Sequence, residues 1–221
     1  MSVPPASWAD LPPPWQNAVE LAWNAYGKET TPVGAVIVDE DGREISRGMN
    51  ARHACGGDAA PLAGSHIAHA ELIALSRLSS EDSYPGYTLY STLEPCLLCV
   101  GAAVMSTIGC VRWAGVDPYG GATSQADDRN AHLRRRLTRF AGPDDGALGT
   151  FCAGLHAEFY LRRDPDGVVV TAYREEAPEA VRTAGELAAL DAPATAAGGS
   201  HPASLFDRLA AASAGRERRL P

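Results

Sequence analysis

The chain has 221 residues, 45% of them hydrophobic and 21% charged, enough for one full α/β domain with a modest extension and a core that needs no disulfides. Its net charge is −8, with 11 basic against 15 acidic residues up to position 140 and 8 against 12 after it, so neither part has the basic footprint of a protein that lives on phosphate backbones. No apolar run reaches the length of a membrane span, the N-terminus lacks a basic flank before an apolar stretch, and five cysteines are an odd number for a disulfide framework, so a cytoplasmic protein with no membrane partner is expected.

Five prolines among the first 14 residues predict an extended lead-in over 1–14. Val19, Ala22, Trp23 and Tyr26 recur at helical spacing and predict a helix over 15–26 that Gly27 stops. Residues 33–38 form a short apolar β run, 39–42 (Asp-Glu-Asp-Gly) a turn, and 44–48 a returning strand, together a hairpin. A loop is expected over 51–65, then a helix over 69–78, a strand over 87–91, a helix of small and apolar residues over 96–105 and a strand over 110–114. Strands alternating with helices from residue 70 onward point to an α/β layered domain with parallel pairing in that half. Beyond Gly115 the pattern weakens. A helix over 126–139 with Arg134, Arg135 and Arg136 facing solvent is expected, and two elements over 155–163 and 168–173 flank an Asp-Pro-Asp-Gly turn. The Ala, Pro, Gly and Thr of 177–202 read as a linker or disordered tail, and 204–212 as a short amphipathic helix. The expected organisation is a lead-in over 1–14, one domain over 15–175 and an extension over 176–221.

Two segments carry chemistry: His69-Ala70-Glu71 and Pro95-Cys96-Leu97-Leu98-Cys99. One imidazole and two thiolates offer zinc three tetrahedral ligands and leave a fourth position for water, the pattern of a catalytic rather than a structural metal. Cysteines at i and i+3 share one face of a helical turn, and a helix N-terminus there favours thiolate. Glu71 is better employed moving protons than ligating, because a fourth protein ligand closes the site. A structural zinc knuckle would need a second Cys pair, and a redox pair would do without the upstream His-x-Glu. A second His-x-Glu, at His156-Ala157-Glu158, has no Cys-x-x-Cys downstream and reads as chance. Cys110 reads as a buried strand thiol and Cys55 as a loop thiol, while His53 and His66 lie on the loop that could cover a pocket.

From about Trp15 to Asp117 the chain resembles the zinc-dependent cytidine/deoxycytidylate deaminase superfamily, in its branch of tRNA adenosine, guanine and cytosine deaminases. The residues that carry the likeness are Pro32-Val33-Gly34-Ala35-Val36, Gly48-Met49-Asn50, His69-Ala70-Glu71-Leu72-Ile73-Ala74-Leu75, Thr92-Leu93-Glu94-Pro95-Cys96, and Gly101 to Gly109; the His-x-Glu and Pro-Cys-x-x-Cys pair is the general signature of zinc nucleobase deaminases. The resemblance implies a three-layer α/β/α sandwich around a central mixed β-sheet, with both metal segments at helix starts. It implies one catalytic Zn2+ held by His69, Cys96 and Cys99, Glu71 as the proton carrier, and water replacing an exocyclic amino group that leaves as ammonia. It also implies that Asn50 contacts substrate and that Ala70 offers its backbone N–H to the ring, with a homodimer as the assembly. Glu94 and Pro95 border the pocket, Glu94 with the alternative role of organising its turn; Val33 is either wall or core.

The local motifs lean toward a tRNA partner. The acidic balance, Thr107 after Ser106, and a loop over 50–69 with Arg52 as its one cation lean away from it. The expectation is therefore a small aminated heterocycle such as a nucleobase or nucleoside, with wobble adenosine of tRNA as the alternative and a non-catalytic binding protein of the same fold as a third reading. The terminal segment with 205–209 is expected to fold over a neighbouring pocket as a lid.

Overall fold

In the computed structural model the residues described are 7–54, 62–125, 138–144 and 146–217. From residue 7 onward the lead-in is anchored rather than extended, its first six residues lying outside those described. A single helical turn at Trp8–Asp10 leads through buried Leu11 into helix α1 (Pro13–Gly27), which has proline at its first positions, where the fixed φ favours a helix and the missing N–H costs nothing. Strands β1 (Gly34–Val38) and β2 (Glu44–Met49) form the expected hairpin. They are followed by α2 (Ala70–Leu75), β3 (Thr88–Leu93), α3 (Leu97–Met105), β4 (Cys110–Gly115) and β5 (Arg139–Ala141). Most of the helix expected over 126–139 lies outside the described residues; Arg139 opens β5.

The sheet order is β2-β1-β3-β4-β5. β1 runs antiparallel to both β2 and β3, and β3, β4 and β5 are mutually parallel, so the mixed sheet changes sense at β1/β3. Alternate residues of β1 serve opposite layers. Ala35 and Ile37 join Ala70, Ala74, Leu89 and Val111 beneath α2 and α3, whereas Val36 and Val38 meet Ala18 of α1. Two glycines set the helix heights: a Cβ at Gly34 would lie 2.1 Å from the Ala18 carbonyl oxygen, and one at Gly48 would lie 2.0 Å from that of Ala70. Backbone therefore packs on backbone on both faces, and the three-layer α/β/α sandwich follows.

The C-terminal third departs from expectation. The two elements foreseen at 155–163 and 168–173 are helices α4 (Ala147–Arg163) and α5 (Val168–Glu176), with the Gly167 N–H closing the turn onto the Asp164 carbonyl at 3.0 Å. The stretch expected to be a linker is helical as well: α6 (Pro178–Ala189) and α7 (Ala192–Ala197) each carry proline in their first two positions, and α8 (Ala203–Glu217) follows. Leu187, Ala192, Ala196, Phe206 and Leu209 share one core cluster with Trp15, Trp23 and Tyr26 of α1 and Phe151 and Leu155 of α4. Gly27 permits this close packing, since a Cβ there would lie 2.6 Å from the Ala196 carbonyl oxygen. The Trp23 indole N–H donates to the Ser200 carbonyl at 2.6 Å, tying α1 to the segment before α8.

Candidate metal and catalytic site

Two helix starts meet at the carboxyl end of β3. His69 is the N-cap of α2 and Cys96 the N-cap of α3, both in extended conformation, and Cys99 lies one turn further on. The His69 Nδ1 is 3.5 Å from each sulfur, and the sulfurs are 3.6 Å apart. A tetrahedral zinc with Zn–S near 2.3 Å and Zn–N near 2.0 Å requires edges of about 3.8 Å between sulfurs and about 3.5 Å from sulfur to nitrogen. Donor types and spacing therefore fit one zinc ion, and these three residues form a group able to hold a metal ion among the described residues.

The thiols are electrostatically unequal. The hydrogen bond from Cys99 draws the Cys96 thiol down to about 4 against the cost of its burial, helped by His69 and the Cys99 backbone N–H. Cys99 is pushed up by that same bond and by burial. The hydrogen bond with Cys96 raises the His69 imidazole, against the opposing effect of burial. Glu71, 4% exposed, is raised by burial, which disfavours its charged form. Its carboxylate accepts from the Ser91 hydroxyl at 2.9 Å and lies 3.5 Å from the Cys99 sulfur, so it is fixed beside the metal ligands without being one of the three.

A cleft of about 210 Å³ opens above this group. Val33, Asn50, His69, Glu71, Glu94 and Cys96 line it. Ala70 and Pro95 do not: the Ala70 side chain is buried under the sheet, and the Pro95 carbonyl accepts from the Ala122 N–H at 3.0 Å. Asn50 Oδ1 is occupied by the Thr30 hydroxyl at 3.1 Å and the Arg52 N–H at 3.0 Å, leaving its amide NH2 to address the cleft. Both roles weighed for Glu94 are present, because it lines the cleft while accepting from the Thr123 N–H and hydroxyl at 3.2 and 2.5 Å. Val33 likewise serves as both wall and core.

Sequence reasoning missed the far wall, formed by Asp117, Tyr119 and Gly120 after β4 and by His156, Tyr160 and Val169 of α4 and α5. The second His-x-Glu is thus not idle. His156 faces the cleft, while Glu158 turns the other way and accepts a short hydrogen bond from the buried Tyr26 hydroxyl and one from Arg162 at 3.2 Å. Cys110 and Cys152 are free thiols away from the site, and Cys55 lies outside the described residues. No residue beyond Val169 is on the cleft wall among the described residues, so the terminal helices are no lid over their own site. No helix there is long and apolar enough to cross a membrane.

The cytidine and deoxycytidylate deaminase zinc-binding region matches residues 15–114. A tRNA-specific adenosine deaminase of Bacillus subtilis is 31% identical over 148 residues, 66% of this chain and 85% of that protein. A tRNA(Ile)-lysidine synthase of Deinococcus radiodurans is 34% identical over 115 residues, 51% of this chain and only 18% of the synthase. Among solved structures, a guanine deaminase of Nitrosomonas europaea aligns at a TM-score of 0.51 and 20% identity, over 66% of this chain and 82% of that one, a likeness of fold. With His69, Glu71, Cys96 and Cys99 all inside the matched region, the chain belongs to the cytidine and deoxycytidylate deaminase family.

Proposed function

We propose that the protein is a zinc-dependent hydrolytic deaminase that replaces an exocyclic amino group of a small nucleobase-like ring with oxygen and releases ammonia. The observation that carries this reading is the triangle of His69, Cys96 and Cys99, at 3.5 to 3.6 Å, with the Glu71 carboxylate fixed beside it. A zinc ion there supplies a nucleophilic water at neutral pH. Glu71 takes one proton from the attacking water and delivers it to the ring nitrogen, then takes the second from the newly formed hydroxyl and delivers it to the departing amine, transfers for which a buried carboxyl of raised pKa is suited. Asn50 orients the ring through its amide NH2. His156, Tyr160 and Val169 exclude bulk water from the far side.

Size and charge favour a small substrate. The cleft is smaller than the ~300–1,000 Å³ that suits drug-sized ligands. Past Arg52, Tyr160 and Val169 it adjoins a second cavity of about 230 Å³, room for a sugar. Arg52 is the one Lys or Arg on the cleft wall among the described residues, against Glu71, Glu94 and Asp117, a poor reception for a phosphate chain. The second reading is wobble adenosine in tRNA, favoured by the Bacillus subtilis relative. We also propose a homodimer through α3, whose Leu97, Leu98 and Met105 are exposed; Met105→Glu should then shift the sedimentation coefficient from dimer to monomer.

The test is ammonia release by zinc-loaded protein on guanine, adenine, cytosine, their nucleosides and a tRNA anticodon stem-loop, each with a Glu71→Ala control. Turnover of a small molecule that the control loses supports the reading. Turnover of the stem-loop alone replaces it with the tRNA alternative, and no turnover of anything sinks both.

A further inference from the structure

The cleft holds a titratable side chain for which zinc chemistry has no use. His156 sits on α4, 5% exposed, with one edge at the cleft and its Nδ1 2.9 Å from the Tyr173 hydroxyl. That hydroxyl is also 3.0 Å from the Val116 carbonyl oxygen. A phenol has one proton and a carbonyl has none, so the two contacts are satisfied together in only one way: Tyr173 donates to Val116, and His156 Nδ1–H donates to Tyr173. The tautomer is thereby fixed, and Nε2 is left as a bare acceptor.

We propose that His156 is a specificity-determining residue whose Nε2 accepts a hydrogen bond from a ring N–H or second amino group of the substrate, away from the amine that leaves. The assignment rests on the deaminase reading above and narrows its substrate class to aminated heterocycles with a second donor on the ring. Free bases have one at the nitrogen that would bear a sugar, and diaminopurines have one at the added amine. Ring-alkylated adenine or cytosine has none.

The surroundings agree. Burial holds the His156 imidazole below its ordinary value against the pull of Asp117, and burial keeps Tyr173 a phenol. The Tyr160 ring meets His156 edge-on at 4.9 Å and restricts its rotation. A donor on the substrate then meets a preorganised partner, and a substrate lacking it leaves a desolvated Nε2 unmatched, which is how a polar pocket rejects an analogue.

The experiment compares matched pairs: adenine with 9-methyladenine, 9-methyl-2,6-diaminopurine with 9-methyladenine, and cytosine with 1-methylcytosine. Each is read as kcat/KM on the wild type and as Kd on Glu71→Ala protein. The wild type should prefer the donor-rich member by about tenfold. His156→Leu should erase the preference, His156→Gln should restore part of it through an amide oxygen near the Nε2 position, and Tyr173→Phe should weaken it by freeing the tautomer, all with zinc content unchanged. A two-bond 1H–15N spectrum should give His156 as a neutral Nδ1–H imidazole, and an Nε2–H or doubly protonated ring at neutral pH overturns the proposal. Turnover with no preference in any pair, or a preference that survives His156→Leu, also overturns it while leaving the deaminase reading intact. Preference in binding without turnover by the wild type leaves His156 its role and sinks the deaminase reading; failure of every compound to bind sinks both.

Discussion

Phe206→Ala separates a structural extension from a lid. The Phe206 side chain is fully buried, meeting Phe151 edge-on at 5.4 Å and Trp8 at 5.8 Å, in the cluster that joins α1, α4 and α8. Truncating a buried phenylalanine costs about 3–5 kcal/mol, a large part of the ~5–15 kcal/mol that holds a typical domain together. At about 2–4 °C per kcal/mol for a chain of this size, Tm should drop by roughly 6–20 °C. The assay is urea unfolding followed by tryptophan fluorescence and far-UV circular dichroism, with exposed Arg208→Ala as the control, expected within about 0.5 kcal/mol of wild type. Because no cleft residue lies beyond Val169 among those described, KM and kcat measured well below the transition should stay within about twofold of wild type. A loss below about 1 kcal/mol, or an increased KM in fully folded protein, refutes the packing argument and returns the extension to the status of tail or lid.

Ser91→Ala removes the 2.9 Å hydrogen bond to Glu71; bonds to charged groups are worth about 1.5–3 kcal/mol, so kcat should fall roughly 10- to 100-fold with zinc content unchanged by atomic absorption. Gly48→Ala places a Cβ 2.0 Å from the Ala70 carbonyl oxygen and must push α2 off the sheet, taking His69 and Glu71 with it; zinc retention should fall along with stability, and full retention would contradict the close packing. For His156 the folded value is lowered by burial, so below about pH 6.5 the unfolded chain takes up a proton that the folded chain refuses. Its contribution to stability is whole above that pH and is lost as pH falls through the folded value. Denaturation midpoints of His156→Gln should therefore decline less steeply on acidification than those of wild type, and parallel declines would mean that His156 is not buried neutral.

What could be read from sequence was whatever a local pattern encodes. The hairpin of β1 and β2 announces itself by turn chemistry, α1 by its spacing and α3 by its run of small and apolar residues. His69 with Glu71, and Cys96 with Cys99, are each two or three residues apart on a helix start, so only the meeting of the two helices had to be supplied by the fold. The helices from Ala147 onward were legible in part. Leu187, Phe206 and Leu209 lie in or beside a stretch dominated by Ala, Pro and Gly, and their burial depends on a partner face on α1 and α4 that no window of sequence contains. Proline misled twice in the same way, at Pro13 and Pro178, where it opens a helix rather than preventing one. His156 gave one faint signal, a histidine among Leu155, Ala157 and Phe159 on a helix with no obvious partner; its meaning came from Tyr173 and Val116, distant in the chain.

The proposed metal ligands and the far wall of the cleft lie in different parts of the chain. His69, Glu71, Cys96 and Cys99 fall within residues 15–114, the part matched by the family, and their arrangement is set by two short helices pressed onto one sheet by Gly48 and its neighbours. Asp117, Tyr119, His156, Tyr160 and Val169, which close the cleft, all follow that region. A change in α4 or α5 can reshape what enters the cleft without disturbing the metal ligands, since α4 packs on the opposite face of the sheet from α2 and α3. Likeness to relatives over the matched region therefore covers the metal ligands and Glu71 and leaves the far wall of the cleft outside it. Substitutions at His156 and Tyr160 should move preference among substrates, whereas substitutions at Glu71 or the three metal ligands should abolish turnover of all of them.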